Sequence, residues 1–511
     1  MLVFERSPMA RNSYVRSIVL FAVTILTRLP FTSRFLYSQD SVQFALALEK
    51  YDVYLHQPHP PGYFLYVMAG KLINHFIQDA NASFVLISLL ASGLTVVVVY
   101  CLGRAVFDER IGWWAGVLAI TSPLLWFYGE VALSYSVAAF FNSWIALLCW
   151  QALHSDSKRV YFSALLLGIG AGIRQEILIF MFSLWVFCFV NLGWRRVVIA
   201  LLILGVTVGS WFVPMLVLSG GPDRYFSAVH ELWEFHNSRL AIWNVGIAYR
   251  KDIILTILGF ISYGAGIGAV FILFAFYVSV RTGYWRQIEK EKLVFFTLWF
   301  IPGIVFYLVI FLHPYNHGHG LFFLPALLIL LPSSVRYVVS EFKGMSRFGN
   351  TATSLAVSAT LGIVVAVNVG AFLLTDLSYS AKSIREHDRN LLIMLAGIKK
   401  TFRTDDTIVL DARSSLFYSF RHVQYYLRDY KVYLGDLRTN KRGETWHIFG
   451  GFDGRTFLSD AIRIPANSRY LVYLMDPSDE EYKRDLQSHN LRRLSLENGI
   501  VLFYRDIKKD V

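Results

Sequence analysis

Apolar runs of about twenty residues recur along most of this chain, from Ile18 to Leu374. As an α-helix, a run of that length spans the hydrocarbon core of a bilayer, which is roughly 30 Å thick. A helix also satisfies its own backbone hydrogen bonds, as lipid requires. Hydrophobic residues make up 55% of the chain and charged residues only 16%, so the predicted fold class is an α-helical polytopic membrane protein.

The runs predict about eleven transmembrane helices of roughly twenty residues each. They lie near residues 17–29, 84–103, 112–128, 132–152, 160–173, 175–192, 197–218, 253–280, 293–312, 319–335 and 352–374. The moderately apolar stretch 61–76 is interrupted by Lys71, Asn74 and His75, so we expect it to lie along the outer membrane surface.

Positive charge between the runs predicts the orientation, because Lys and Arg in short loops are retained in the cytoplasm. The formal net charge is +12, but the basic residues fall mostly between apolar runs, where they favour lipid headgroups over nucleic acid as partners. The prediction is a multi-pass protein of a cell membrane or an ER-type membrane. Its N-terminus is cytoplasmic and its C-terminus is extracytoplasmic.

This orientation places a set of polar side chains on the outer face of the membrane. Carboxylates, guanidinium groups and imidazoles there can carry out acid–base chemistry and bind anions. The candidates, in chain order, are Asp40, His59, Glu130, Arg174, Arg239, His317 and His319. The cytoplasmic loops offer no comparable cluster.

The composition changes after about residue 380, where apolar runs shorten and charge rises. Short β-prone segments occur at 407–411, 431–434, 470–475 and 499–505, with helical stretches at 383–402 and 414–428. We therefore predict two domains: a transmembrane catalytic domain, residues 1–379, and a small extracytoplasmic α/β domain, residues 380–511. The second is expected to cover the outer face and help hold an acceptor.

The acid that follows the first span and the downstream His59-Pro60-Pro61 turn carry a family resemblance. Together with the many spans and the outer C-terminal domain, they resemble the GT-C fold glycosyltransferases. The most similar branch contains the dolichyl-phosphate-mannose protein mannosyltransferases and the bacterial aminoarabinose lipid A transferases. The resemblance implies transfer of a sugar from a polyprenyl phosphate to an acceptor outside the cytoplasm.

The resemblance assigns roles to some of these residues. Asp40 matches the first-loop acid that is held to be catalytic, and His59 belongs to the turn that shapes that loop. Glu130 matches a second outer acid by position. Ser41 is a departure, since relatives often have another acid there. The histidine-containing stretch 316–319 is another, since relatives frequently have Arg or Lys at that point.

The chemistry implied by the resemblance fits the residue types present. A carboxylate can deprotonate an acceptor hydroxyl, and Asp40 is the choice for this base. The leaving phosphate needs positive charge and hydrogen-bond donors. Arg174, Arg239, His317 and His319 can provide them, and a single displacement at the anomeric carbon predicts inversion. No cofactor or metal is expected.

Alternative interpretations stay open for individual residues. The histidines at 313, 317 and 319 could bind a metal or form an interfacial cluster. Arg174 and Glu176 could form a structural ion pair. His59 could simply stiffen a turn.

The alternative functional class is a polytopic transporter or a flippase for lipid-linked glycans. Such proteins usually place ionisable residues near the middle of their spans and often contain an internal repeat. Most of the spans here are apolar at their centres, and no repeat is evident. An enzyme is therefore favoured, with a lipid-linked sugar donor, membrane lipid and a glycan, lipid or protein acceptor as its partners.

Overall fold

The computed structural model describes residues 8–310, 316–344, 350–411, 420–438, 447–452, 462–474 and 491–508. Contacts divide the chain into two compact units. The first, here called the helical unit, contains Met1–Thr32 and Tyr63–Ser383. The second, the sheet unit, contains Ser33–Gly62 and Ile384–Val511. The functional boundary predicted at residue 380 stays a prediction.

The helical unit consists of apolar helices joined by short connections. Its helices are α1 Pro8–Arg28, α3 Phe64–Ile77, α4 Ala80–Val106, α5 Glu109–Thr121, α6 Pro123–Tyr128, α7 Tyr135–His154, α8 Arg159–Ile173, α9 Glu176–Phe187, α10 Trp194–Leu218, α11 Pro222–Leu240, α12 Ile247–Ala265, α13 Gly268–Thr282, α14 Lys290–Val309, α15 Leu324–Gly344 and α16 Asn350–Leu374. Asp79 and Asp108 cap α4 and α5, each accepting a backbone N–H in the first turn.

Seven helices in the described part of the chain are long and apolar enough to cross a membrane, or eight if one bent pair counts as a single span. Three shorter apolar helices also occur, at Phe64–Ile77, Arg159–Ile173 and Glu176–Asn191. The protein is thus a multi-pass membrane protein, as predicted. The predicted number of about eleven spans is not confirmed.

The bent pair is α12 and α13, which the sequence predicts as one span at 253–280. The two helices meet at 109°, and Gly266 lies between them with φ of +58° and ψ of −143°. A residue with a Cβ atom is strained in that conformation. The Cβ would also collide with the side-chain oxygen of buried Asn368 in α16. Glycine at this position therefore permits both the bend and the close packing of α16.

Within its described residues, the sheet unit is built around one seven-stranded sheet. The strands are β1 Thr407–Asp411, β2 Lys431–Arg438, β3 His447–Phe452, β4 Ile462–Arg463, β5 Tyr470–Leu474, β6 Arg492–Ser495 and β7 Val501–Asp506. Their order is β4-β3-β2-β1-β5-β7-β6. β1 is parallel to β2 and β5, and the other neighbouring strands are antiparallel. The four predicted β-prone segments correspond to β1, β2, β5 and β7.

The part of this unit that the structure describes also contains the α-helices α2 Gln39–Glu49, α17 Ala381–Thr401, which begins in the helical unit, and α18 Phe420–Tyr426. One face of the sheet packs on α17 and α18 through buried apolar side chains, including Leu391, Ile398, Val423 and Val472. Removing each such side chain from water contributes roughly 1.5–3 kcal/mol. The small C-terminal α/β fold expected from the sequence is therefore present.

Candidate active site

Asp40 lies in the first turn of α2, in the sheet unit. Ser38 caps this helix: its hydroxyl accepts the Ser41 backbone N–H at 3.4 Å, and the Ser41 hydroxyl accepts the Ser38 N–H at 3.3 Å. Ser41, the departure from the family pattern, thus completes a reciprocal cap. The N-terminal end of a helix also favours a negative charge. The Asp40 side chain is 33% exposed, which leaves its carboxylate accessible.

His59 approaches Asp40 from the other end of the same segment. Its Nδ1 lies 3.7 Å from Asp40 Oδ1 and 2.6 Å from Gln43 Oε1. The backbone N–H of His59 donates to the same Gln43 oxygen at 3.2 Å. Because an amide oxygen only accepts, Nδ1 carries the proton in this contact. Gln43 therefore fixes both the orientation and the tautomer of the imidazole beside Asp40.

Arg174 lies in the helical unit, between α8 and α9, and is almost fully buried. Its guanidinium donates to Glu176 Oε1 at 2.8 Å and to Ser134 Oγ at 3.0 Å. Burial alone would lower the pKa of Arg174, but Glu176 raises it, and the net direction is upward. The guanidinium is therefore a fixed positive charge, and the predicted ion pair with Glu176 is present.

Aromatic rings enclose the Arg174 guanidinium. Its central carbon lies 4.4 Å from the ring centre of Tyr135, 5.2 Å from that of Tyr63 and 5.4 Å from that of Phe322. Rings at these distances attract a cation and exclude water. Arg174 is thus held rigidly, and its charge is screened less than it would be at an exposed site.

His317 and His319 belong to a buried 3₁₀ helix, His317–Phe322, in the helical unit. Nδ1 of His317 lies 2.9 Å from the Tyr379 hydroxyl, and Nδ1 of His319 lies 3.1 Å from the Tyr307 hydroxyl. The ring of Tyr135 lies edge-on to His319, with ring centres 5.4 Å apart. Tyr135 therefore contacts both Arg174 and the histidine turn, and these predicted residues do come together.

Glycines allow the histidine turn to pack this closely. A Cβ atom on Gly259 of α12 would collide with Nε2 of His317. A Cβ on Gly318 would lie 2.7 Å from the Tyr135 ring, and one on Gly320 would lie 2.8 Å from Phe260. Such distances are too short for carbon atoms. The local sequence His-Gly-His-Gly thus combines two buried imidazoles with the space they need. His313 lies outside the described residues.

Glu130 is fully buried, in the turn that follows α6. It interacts electrostatically with Arg28, a fully buried arginine at the end of α1. The Arg28 guanidinium donates to the Ile120 carbonyl oxygen at 3.3 Å. A Cβ on Gly129 would lie 2.9 Å from Arg28 Nε, so the chain passes directly beside this cation. Glu130 and Arg28 therefore interact electrostatically, and the predicted catalytic role of Glu130 stays a prediction.

Arg239 lies at the exposed end of α11, where its guanidinium packs 4.1 Å from the ring centre of Phe235 on the same helix. Its predicted role in binding substrate stays a prediction.

The sequence interpretation missed the tyrosines of the site and Arg28. Tyr63, Tyr135, Tyr307 and Tyr379 are buried and contact Arg174 or the two histidines. Tyrosines near the ends of apolar runs are normally assigned to the membrane interface. An arginine at the end of the first apolar run was the available signal for Arg28, since a buried charge needs a partner.

A many-helix membrane unit with a small mixed α/β unit is the GT-C type of architecture, and solved structures bear this out. The chain superposes on ArnT from Cupriavidus metallidurans bound to undecaprenyl phosphate with a TM-score of 0.57, at 13% identity and over 98% of both chains. The apo state of the same protein gives a TM-score of 0.54, again at 13% identity and over 98% of both chains. The predicted fold class is confirmed.

A third structure, an oligosaccharyltransferase from Archaeoglobus fulgidus, has a TM-score of 0.49 at 13% identity, covering 96% of this chain and 72% of its own. Residues 50–198 match the N-terminal domain of the protein O-mannosyl-transferase TMEM260. No curated protein matches the sequence. The family match is to a domain of glycosyltransferases, and it confirms the predicted resemblance and enzyme class.

Proposed function

We propose that this chain is an inverting glycosyltransferase that moves a sugar from a polyprenyl phosphate to an acceptor hydroxyl outside the cytoplasm. The acceptor belongs to a protein, a lipid or a polysaccharide. The observation that carries the proposal is Asp40: an accessible carboxylate on a capped helix, oriented beside His59, in a fold of the GT-C type.

The reaction is a single displacement at the anomeric carbon. Asp40 accepts the proton of the acceptor hydroxyl while that oxygen forms a bond to the anomeric carbon. The bond from this carbon to the phosphate oxygen breaks, and its electron pair leaves with the polyprenyl phosphate. Attack from the face opposite the leaving group inverts the configuration. Gln43 holds His59 beside the carboxylate, so that Asp40 can accept the proton of the acceptor in this step.

The leaving phosphate requires fixed positive charge. Arg174 is suited to this role because it is charged, buried and enclosed by aromatic rings. His317 and His319 are proposed to contribute hydrogen bonds from the neighbouring turn, and Arg239 to meet the donor from α11. The proposal does not depend on Glu130.

The relatives support the chemical class of the donor. ArnT from Cupriavidus metallidurans is described bound to undecaprenyl phosphate, and the matched family is an O-mannosyl-transferase. By analogy, the donor of this chain is a lipid-linked sugar and its acceptor atom is a hydroxyl oxygen. The sheet unit and Asp40 are proposed to be extracytoplasmic, which a reporter fused after Val511 would test.

The decisive assay uses purified protein with radiolabelled sugars on polyprenyl phosphates and a panel of hydroxyl acceptors. The expected result is donor-dependent product whose anomeric configuration is opposite to that of the donor. Retention of configuration would contradict the single displacement. Movement of labelled lipid across vesicle membranes without any product would instead indicate the transporter or flippase alternative.

A further inference from the structure

The chain that leads into Asp40 is attached to the C-terminal part of the sheet unit. Residues 33–37 form a short non-helical stretch immediately before α2. Asp388, from α17, holds the start of this stretch with both carboxylate oxygens. The Ser33 hydroxyl lies 2.9 Å from Oδ1 and shares its proton with the Phe35 carbonyl oxygen at 2.6 Å, and the Arg34 backbone N–H donates to Oδ2 at 2.7 Å. Asp388 is buried, so these bonds are largely protected from water.

Two side chains of α18 bracket the next part of the stretch. The backbone N–H of Leu36 donates to the Tyr426 hydroxyl at 2.9 Å, and Nε2 of His422 donates to the Leu36 carbonyl oxygen at 2.9 Å. Leu36 and His422 are fully buried. Both backbone polar groups of Leu36 are thus fixed from the same helix, only four residues before Asp40.

Ring contacts reinforce these bonds. The ring of Phe35 meets that of Tyr426 edge-on, with centres 5.4 Å apart. Tyr37 lies against His387 of α17, with ring centres 4.4 Å apart. Aromatic pairs of this kind contribute more stability than the apolar area they bury would give.

The segment on the far side of α2 is attached as well. Arg421 of α18 donates from Nη2 to the Leu55 carbonyl oxygen at 2.9 Å. Burial lowers the pKa of Arg421 to about 9, so the group is still charged at neutral pH. A charged donor makes a stronger hydrogen bond than a neutral one. Both flanks of α2 are therefore held by α18, and the flank before α2 is also held by α17.

We propose that Asp388, His422 and Tyr426 are positioning residues that set the direction of the Asp40 carboxylate. The inference rests on the proposed function, because it assigns the C-terminal residues a part in the same reaction. Their bonds to residues 33–36 act on the backbone, so they fix the path of the chain into α2 rather than recognise a substrate. Errors of about 1 Å in such an arrangement lower turnover roughly a hundredfold.

A positioning role differs from a purely structural one in its kinetic signature. Displacing the base slows the chemical step, so kcat falls while KM for the donor stays near its wild-type value. General loss of structure instead lowers the amount of active protein and the thermal midpoint together. Chain mobility is a second readout, since amides released from these bonds exchange their hydrogens faster.

The experiment compares Asp388→Asn, Asp388→Ala and Tyr426→Phe in the full-length protein. Matched controls are Glu386→Gln, which makes the same carboxylate-to-amide change on the exposed face of α17, and Tyr425→Phe, which removes the neighbouring hydroxyl. Each protein is assayed for kcat and KM. Hydrogen exchange is measured over residues 33–50, and thermal unfolding is followed in parallel.

The expected result is a fall in kcat of roughly tenfold to a hundredfold in Asp388→Ala and Tyr426→Phe, with KM changed less than about twofold. Hydrogen exchange over residues 33–50 rises in both variants. In Asp388→Asn, kcat and exchange should lie between those of wild type and Asp388→Ala, because the amide keeps one acceptor oxygen. Unchanged exchange, or the same kinetics in the controls, would overturn the proposal. Absence of transfer by the wild type would contradict the proposed function alone, since the exchange comparison stands without it.

Discussion

Nδ1 of His59 lies 3.7 Å from Oδ1 of Asp40, beyond ordinary hydrogen-bond range, because the same nitrogen donates to Gln43 at 2.6 Å. Asp40 is thus left able to accept a proton from another donor. The first prediction follows from the competition between Gln43 and Asp40 for the imidazole of His59.

Gln43→Leu should slow transfer about tenfold, since His59 then loses the acceptor that orients it and turns towards Asp40. The measurement is kcat at saturating donor. Gln78→Leu, an amide change at an exposed helix end, is the control and should leave kcat unaffected. Equal rates for Gln43→Leu and wild type would show that the contact between Gln43 and His59 does not contribute to transfer.

The Arg174 pair separates stability from catalysis. Arg174→Gln should lower the free energy of unfolding by about 3 kcal/mol, because it leaves the largely buried Glu176 without its ion-pair partner. The double variant Arg174→Gln with Glu176→Gln should recover most of that stability. Transfer should stay at least tenfold below wild type in both variants, since neither supplies the charge for the phosphate. Recovery of activity in the double variant would show that Arg174 is only structural.

Arg28 and Glu130 can also be tested with single and double variants. Here we expect the double variant to recover both stability and transfer. Glu130→Met alone should strongly destabilise the protein, because it leaves a fully buried arginine charge uncompensated. Arg28→Met combined with Glu130→Met should restore stability, and transfer should return with it. A double variant that is stable but inactive would instead support the catalytic role predicted for Glu130 from the sequence.

Gly259→Ala tests the packing of the histidine turn. The added Cβ collides with Nε2 of His317, so we expect a loss of about 1–3 kcal/mol in stability and slower transfer. Gly209→Ala is the matched control, because nothing lies within 4 Å of its Cβ position. Thermal unfolding and initial rates check both variants. Similar behaviour of the two alanine variants would mean that the turn tolerates displacement.

Local sequence patterns were sufficient to predict a helical, multi-pass membrane protein and four of the C-terminal strands, but the predicted number of spans is not confirmed. The length of an apolar run and the alternation of β-prone residues both act within a few neighbouring residues. The bend at Gly266 was missed because apolar composition continues across it, and only its φ angle and the contact with Asn368 reveal it.

Local patterns also indicate only part of the candidate site. Asp40, His59 and the two histidines stand out by residue type beside an apolar run or a proline turn. The contact of Ser33 with Asp388 joins residues 355 positions apart, and no local pattern encodes such a pairing. No local pattern indicates that the tyrosines around Arg174 are buried, since burial against a cation depends on the packing of separate helices.

The role of Asp40 as the base is tested most directly by comparing wild type with Asp40→Asn in sugar transfer from a polyprenyl phosphate donor. Donor binding is measured separately. The amide keeps the shape of the carboxylate but is a poor base. If Asp40 is the base, turnover should fall at least a hundredfold while donor affinity stays within about threefold of wild type. Full turnover by Asp40→Asn would contradict the assignment of Asp40 as the base.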